Sequence, residues 1–318
     1  MALRPDPPRE WRSVLYPLPD YTYFAKPAAF AGAPTIGRLN VLKAAWMADA
    51  SMLAYGRSGM DRLSAMQFAA ILQAAGFQHF DVLGDWSGTG KGTQGFFGYT
   101  NAFAVLAFRG TEADDLEDLA TDLATWPVEE GTNRATFDEG ESAVHHGFQV
   151  ALDEVWEQAE AELTEYRSQS SSEIFFTGHS LGAALATLAI ARFEGGNASL
   201  YTFGSPRVGN RTFVARAGVR ATLGQFRMVD ENDLVTRVPP GLFGYTHGAA
   251  TLYQIDGQAS IVDQTANPVA AGDSQEMRRD LKCLSELKFP VDLYGTPPDD
   301  LYDHSPGRYC NRIWNAAG

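Results

Sequence analysis

The sequence predicts an α/β protein: a mostly parallel central sheet with helices on both faces. Three observations predict it. From residue 173 onward strand-like and helix-like segments alternate, as crossover helices between parallel strands require. Residues 102–108 form a nearly unbroken apolar run, the pattern of a strand buried on both faces. Between the apolar stretch Ile174-Phe175-Phe176 and the small-residue stretch Ala183-Ala184-Leu185-Ala186 lies Gly178-His179-Ser180-Leu181-Gly182, a GxSxG in a strand-turn-helix context.

Residues 1–36 are proline-rich and aperiodic, yet carry Trp11, Tyr16, Tyr21, Tyr23 and Phe24, which favour burial, so an arm packed on the body is expected. Leu42, Ala45, Trp46, Ala48, Met52 and Leu53 follow roughly helical spacing over 41–53. A second helix starts at Ser64, where Gln67 completes a capping box, and stops at Gly76. Strands are expected at 77–83, 95–100 and 102–108, with Gly110 ending the last. Residues 112–126 read as an acidic amphipathic helix and 129–143 as an exposed polar loop. A long helix comes next, with Phe148, Leu152, Val155, Trp156, Ala159, Leu163 and Tyr166 on one face, closed by a Ser-rich turn at 168–172. Then come a strand at 173–177, a helix at 181–193, strands at 199–203 and 225–229, and a hairpin of 251–255 with 260–262 joined at Asp256-Gly257. No repeat or linker divides the 318 residues, so a single domain over 37–318 is expected behind the arm.

Composition narrows the function classes. Hydrophobic residues make up 45% and charged residues 20%, which is ordinary globular usage. With 25 basic and 39 acidic residues the net charge is −14, and no basic run offers a footprint for phosphates, so nucleic acid is not an expected partner. The longest nearly apolar run, 181–191, is too short for a transmembrane segment. Prolines break the N-terminal region, leaving no signal-peptide core; the expectation is a cytoplasmic chain or a mature secreted form whose leader has been removed. Cys283 and Cys310 lack metal-ligand spacing; two core thiols are expected, with one disulfide as the alternative.

The GxSxG carries the chemistry. Its glycines allow a turn too tight for flanking side chains, which presents Ser180 at the top of the sheet, while the N–H of Leu181 and the following helix dipole face the space where an oxyanion would form. A serine nucleophile needs a base and an orienting acid, in the chain order Ser, Asp or Glu, His. Only His247 and His304 come after it at a useful distance, and His304, on a late segment beyond the last strand, has the better approach. For the acid, Asp230, Glu231 and Asp233 compete at the end of strand 225–229. Asp233 precedes the stiffening run Leu234 to Pro240, but spacing alone leaves Asp230 in contention.

Together these motifs resemble the class 3 lipases, of α/β-hydrolase fold. The matching stretches are Phe108-Arg109-Gly110-Thr111, Val144-His145-His146-Gly147-Phe148, residues 178–182, residues 201–210, residues 233–240 and Asp303-His304, covering the chain from about Leu39 onward in the family's order. The resemblance implies a Ser180, Asp233, His304 triad and an oxyanion hole of Thr111 and Leu181. It implies an acylglycerol or other ester substrate, with a lipid–water interface as a candidate partner and no metal or cofactor. It also implies a mobile lid at 112–126, where Leu116, Leu119, Ala120 and Leu123 share one face, Asp114, Asp115, Glu117, Asp118 and Asp122 the other, and Trp126 lies near the hinge. Short-chain or aromatic esters and phospholipid sn-1 esters are the alternative substrates.

A rival from another class is Ser87-Gly88-Thr89-Gly90-Lys91-Gly92-Thr93-Gln94, which is similar to a nucleotide-binding phosphate loop. Asp85 stands where the first glycine belongs, and a strand rather than a helix is expected after it, so a hairpin connection is the better reading.

Overall fold

The structure is a computed structural model that describes residues 3–15, 20–28, 36–56, 63–86, 92–110, 128–131, 140–247, 251–258, 260–264 and 295–318. Its strands are β1 His79–Leu83, β2 Gly95–Tyr99, β3 Phe103–Phe108, β4 Val128–Glu129, β5 Ala143–Val144, β6 Glu173–His179, β7 Ala198–Phe203, β8 Gly224–Asp230, β9 Thr251–Ile255 and β10 Ile261–Asp263. Its helices are α1 Trp11–Leu15, α2 Val41–Leu53, α3 Ala65–Ala74, α4 His146–Gln169, α5 Leu181–Arg192, α6 Arg211–Arg220, α7 Asp299–Tyr302 and α8 Pro306–Ala316. The main sheet runs β1-β2-β3-β6-β7-β8-β9-β10. β3, β6, β7, β8 and β9 are parallel, and antiparallel pairs close both edges.

Strand period two divides the interior into two cores, one on each face of the sheet. Phe97, Leu106, Phe176 and Leu200 face α4, α5 and α6, through Leu152, Val155, Leu185 and Phe213. Their neighbours Phe96, Val105, Phe175 and Tyr201 face α2, α3 and α8, through Trp46, Met47, Phe68, Tyr309 and Ile313. Burying one such side chain is worth about 1.5–3 kcal/mol, so the sheet is fastened from both sides.

Local signals act as expected at the helix starts. The Ser64 side chain accepts from Gln67 N while the Gln67 side chain accepts from Ser64 N, a complete capping box. Other boundaries move. β6 extends past 177 to His179, because its ladder to β7 continues through His179 and Phe203, and Ser180 therefore comes directly after the strand. The segment 129–143 is not a free loop at its ends: β4 and β5 pair, and Ala143 and Val144 are buried. The arm contains a one-turn helix, α1, too short for periodicity to reveal.

Trp11 and Val14 enter the first core and Phe24 the second. Beside Phe24, the Tyr21 hydroxyl donates to Asp49 Oδ1 at 2.5 Å and Phe24 N donates to Asp49 Oδ2 at 2.6 Å, tying the arm to α2. Cys310 is buried with its thiol donating to Ala48 O at 3.2 Å; Tyr16 and Cys283 lie outside the described residues.

Candidate active site

The turn at Ser180 shows why both flanking glycines are needed. A Cβ on Gly178 would lie 2.2 Å from the Gly182 carbonyl, and one on Gly182 would lie 2.2 Å from Phe108 O. Between them Ser180 takes φ 59° and ψ −128°, a left-handed conformation costly for a side-chain-bearing residue. Its N–H donates to Phe203 O at 3.0 Å, which fixes the turn against the end of β7. The hydroxyl Oγ is buried and has no hydrogen-bond partner among the described residues. Leu181 opens α5, so its N–H has no acceptor within the helix.

Asp233 and His304 meet although 71 residues separate them. His304 Nδ1 lies 3.0 Å from Asp233 Oδ1 and 2.9 Å from Oδ2. The carboxylate also accepts from Val235 N at 2.9 Å and from the Tyr309 hydroxyl at 2.7 Å, with no solvent exposure. Asp233 comes from the turn after β8 and His304 from the link between α7 and α8. His304 Nε2 is buried and has no hydrogen-bond partner among the described residues.

The two rival residues have other occupations. Asp230 is paired with Arg308 Nε at 2.9 Å and Arg312 Nη1 at 2.7 Å. Burial pushes its carboxyl up to about 7, against the downward pull of Arg308 and Arg312. His247 donates from Nε2 to Thr236 O at 2.7 Å, and burial followed by the nearby Arg227 and Arg207 keeps its imidazole well below the ordinary range.

Three contributors escaped the sequence reading. Gly204, at φ 59°, ends β7 beneath the pair: a Cβ there would lie 2.7 Å from Asp233 Oδ2 and 2.8 Å from His304 Nδ1. The glycine after strand 199–203 was the available signal. Tyr309 bridges the two aspartates, donating to Asp233 and accepting from Asp230 N at 2.9 Å. His179 stacks on His304 with ring centroids 4.4 Å apart. Burial, and after it the neighbouring His304, pushes its pKa well below the ordinary value. Its Nε2 lies 2.8 Å from His304 O, an acceptor only, so Nε2–H is the donor and Nδ1 accepts from Tyr55 OH at 3.0 Å. The serine turn and the His304 backbone are thus joined.

Thr111 and the helix at 112–126, with Leu116, Leu119, Leu123 and Trp126, lie outside the described residues. Just before them, Arg109 donates to Gln94 Oε1 at 2.9 Å and Gly92 O at 3.0 Å. The phosphate-loop-like segment falls largely outside the described residues too, but it leads into the strand β2 and not into a helix. Among the described residues, the cluster with metal-ligand chemistry is His79, Asp81 and Glu162 at the sheet edge, and it shares no residue with this site.

The family described as Lipase (class 3) matches residues 105–243, the stretch holding most of β3, the serine turn and Asp233. That part of the chain is similar to the class 3 lipases. It is 38% identical over 133 residues to a secreted mono- and diacylglycerol lipase of Fusarium solani, covering 41% of this chain and 39% of the relative. It is 30% identical over 178 residues to a lipase of Rhizomucor miehei, covering 53% of this chain and 46% of that one. The matches thus span less than half the length of these relatives. Among solved structures, a mutant form of MDLA from Penicillium cyclopium superposes with TM-score 0.52 at 28% identity, covering 70% of this chain and 84% of that one. The fold of the chain is the α/β-hydrolase fold, and no helix among the described residues is long and apolar enough to cross a membrane.

Proposed function

We propose that the chain is a class 3 lipase and hydrolyses carboxylic esters of acylglycerols through Ser180, His304 and Asp233. The observation that carries the reading is the buried Asp233–His304 pair: among the described residues His304 Nε2 and Ser180 Oγ both have no hydrogen-bond partner, and His179 of the serine turn is hydrogen-bonded to His304 O. In this reading residues 37–318 form one catalytic domain with the arm 1–36 packed on it.

His304 Nε2 takes the Ser180 proton as Oγ attacks the ester carbonyl, and Asp233 stabilises the imidazolium and fixes its tautomer. The oxyanion is received by Leu181 N–H and by Thr111; one such donor contributes about 3–4 kcal/mol of transition-state stabilisation. His304 then protonates the departing alcohol. Water, deprotonated by the same imidazole, attacks the acyl-enzyme and releases the acid and Ser180. In this reading the strained backbone at Ser180 serves to hold its hydroxyl toward the substrate. The Fusarium and Malassezia relatives are secreted mono- and diacylglycerol lipases, which supports partial glycerides as substrate and export as location.

The test is hydrolysis of esters of increasing acyl length, together with fluorophosphonate labelling, with Ser180→Ala as blank. Rates that rise with acyl length and labelling lost in Ser180→Ala are expected; labelling retained in that variant would remove Ser180 from the mechanism. A short-chain optimum would favour a non-lipase esterase. If 112–126 is a lid, activity on a neutral ester rises beyond its solubility limit and Leu119→Asp reduces that rise. A smooth saturation curve unchanged by Leu119→Asp leaves a fixed helix.

A further inference from the structure

The N-terminal arm grips the segment that carries His304 at several points. Immediately after His304, the Ser305 hydroxyl donates to Ser13 O, a contact between residues 292 apart. Two residues before it, the Tyr302 hydroxyl donates to Pro7 O. Further along, Asn311 Nδ2 donates to Pro5 O at 2.7 Å, and Asn315 exchanges two hydrogen bonds with the Arg4 backbone at 2.8 and 2.9 Å. Asp6 pairs with Arg312 Nη2 at 2.7 Å, and the same guanidinium reaches Asp230 at 2.7 Å. Arg9 pairs with Asp299 at the start of α7.

Most of these partners on the arm are backbone carbonyls. Prolines at 5, 7 and 8 fix φ near −65°, which stiffens the arm and reduces the entropy lost when it docks. The His304 carbonyl is fixed separately by His179, whose Nε2 donates to His304 O. The peptide therefore lies between two anchors, one from the serine turn and one from the arm.

We propose that the arm, residues 3–15, is a positioning element for the proposed base, holding His304 in register with Asp233 and Ser180 through Tyr302 and Ser305. This rests on the reading of Ser180, Asp233 and His304 given above. The arm touches no reacting atom; it acts through the backbone on either side of the imidazole. A displacement of about 1 Å at a reacting group can cost as much as 10²-fold in rate, so loosening these flanks should be visible in turnover.

The experiment compares full-length Tyr302→Phe, Ser305→Ala and Asp6→Asn with the parent on a water-soluble ester, normalising kcat by fluorophosphonate titration of Ser180. Tyr302→Phe keeps the ring that packs under Arg308, 4.4 Å from the ring centroid, and Asp6→Asn keeps the side-chain shape, so these two decide the matter if Ser305→Ala fails to fold. The expected result is a fall of about tenfold in kcat for Tyr302→Phe and Ser305→Ala, a smaller fall for Asp6→Asn, and KM within about twofold. A purely structural arm would lower the melting temperature while leaving normalised kcat unchanged in all three, and that result overturns the proposal. Failure of the triad reading looks different: Ser180→Ala would still hydrolyse the ester.

Discussion

At the scale of single residues, Asp230 and Asp233 stand three positions apart with opposite tasks. Asp233 accepts from His304, Val235 and Tyr309, whereas Asp230 is consumed by Arg308 and Arg312. Asp233→Asn should lower turnover by roughly 10³- to 10⁴-fold, because an amide cannot balance an imidazolium and favours the wrong tautomer. Asp230→Asn should leave turnover per folded molecule within a few-fold but lower the melting temperature, since two buried guanidinium groups lose their shared counter-charge. Steady-state kinetics on titrated enzyme beside thermal melts separates the two; equal losses of turnover would mean Asp230 is not merely structural. Ser180 was legible in the sequence because the GxSxG imposes its own geometry. Which carboxylate pairs with His304 was not, since choosing among three clustered carboxylates depends on Arg308, Tyr309 and Arg312, which lie more than 70 residues away. Gly204 was equally hidden, for its role is the space it leaves beneath a pair assembled from elsewhere.

At the scale of elements, helices α2 and α3 and the central strands could be read almost to the residue, because their apolar periods and the Ser64 cap are local signals. β4, β5 and α1 could not, being short and dependent on partners distant in sequence. The junction between the arm and α2 carries a pH dependence. Burial pushes the Asp49 carboxyl up to about 7, despite the hydrogen bonds from Tyr21 and Phe24 that pull it down. A folded-state pKa above the unfolded value of about 3.9 means that the native chain binds more protons between those limits. The stability Asp49 contributes is therefore full below about pH 4 and declines as pH rises through 7. Asp49→Asn should remove this part of the slope, so that its urea midpoint falls less between pH 5 and pH 8 than that of the parent. Parallel slopes would show that Asp49 ionises without consequence.

At the scale of the whole molecule, both faces of the sheet are covered and the site gathers where parallel strands end: Ser180 after β6, Gly204 after β7, Asp233 after β8. That layout was foreseeable from the alternation of elements, since such sheets assemble their chemistry at the carboxyl ends of the strands. The sandwiching of His304 between the serine turn and the arm was not, because it depends on pairings 125 and 292 residues apart in sequence. Such separations set an order of events in folding. Closing long loops is slow compared with forming local turns and neighbouring strand pairs. A refolding chain can thus complete much of its sheet, and even the serine turn, while still unable to cleave an ester. After dilution from urea, far-ultraviolet dichroism should recover before hydrolysis does, with the return of hydrolysis tracking the docking of Trp11. Simultaneous recovery of both signals would mean that the ends of the chain meet as early as its middle. The docking of residues 3–15 on the His304 segment thus acts as a timer: a partly folded chain is a silent one.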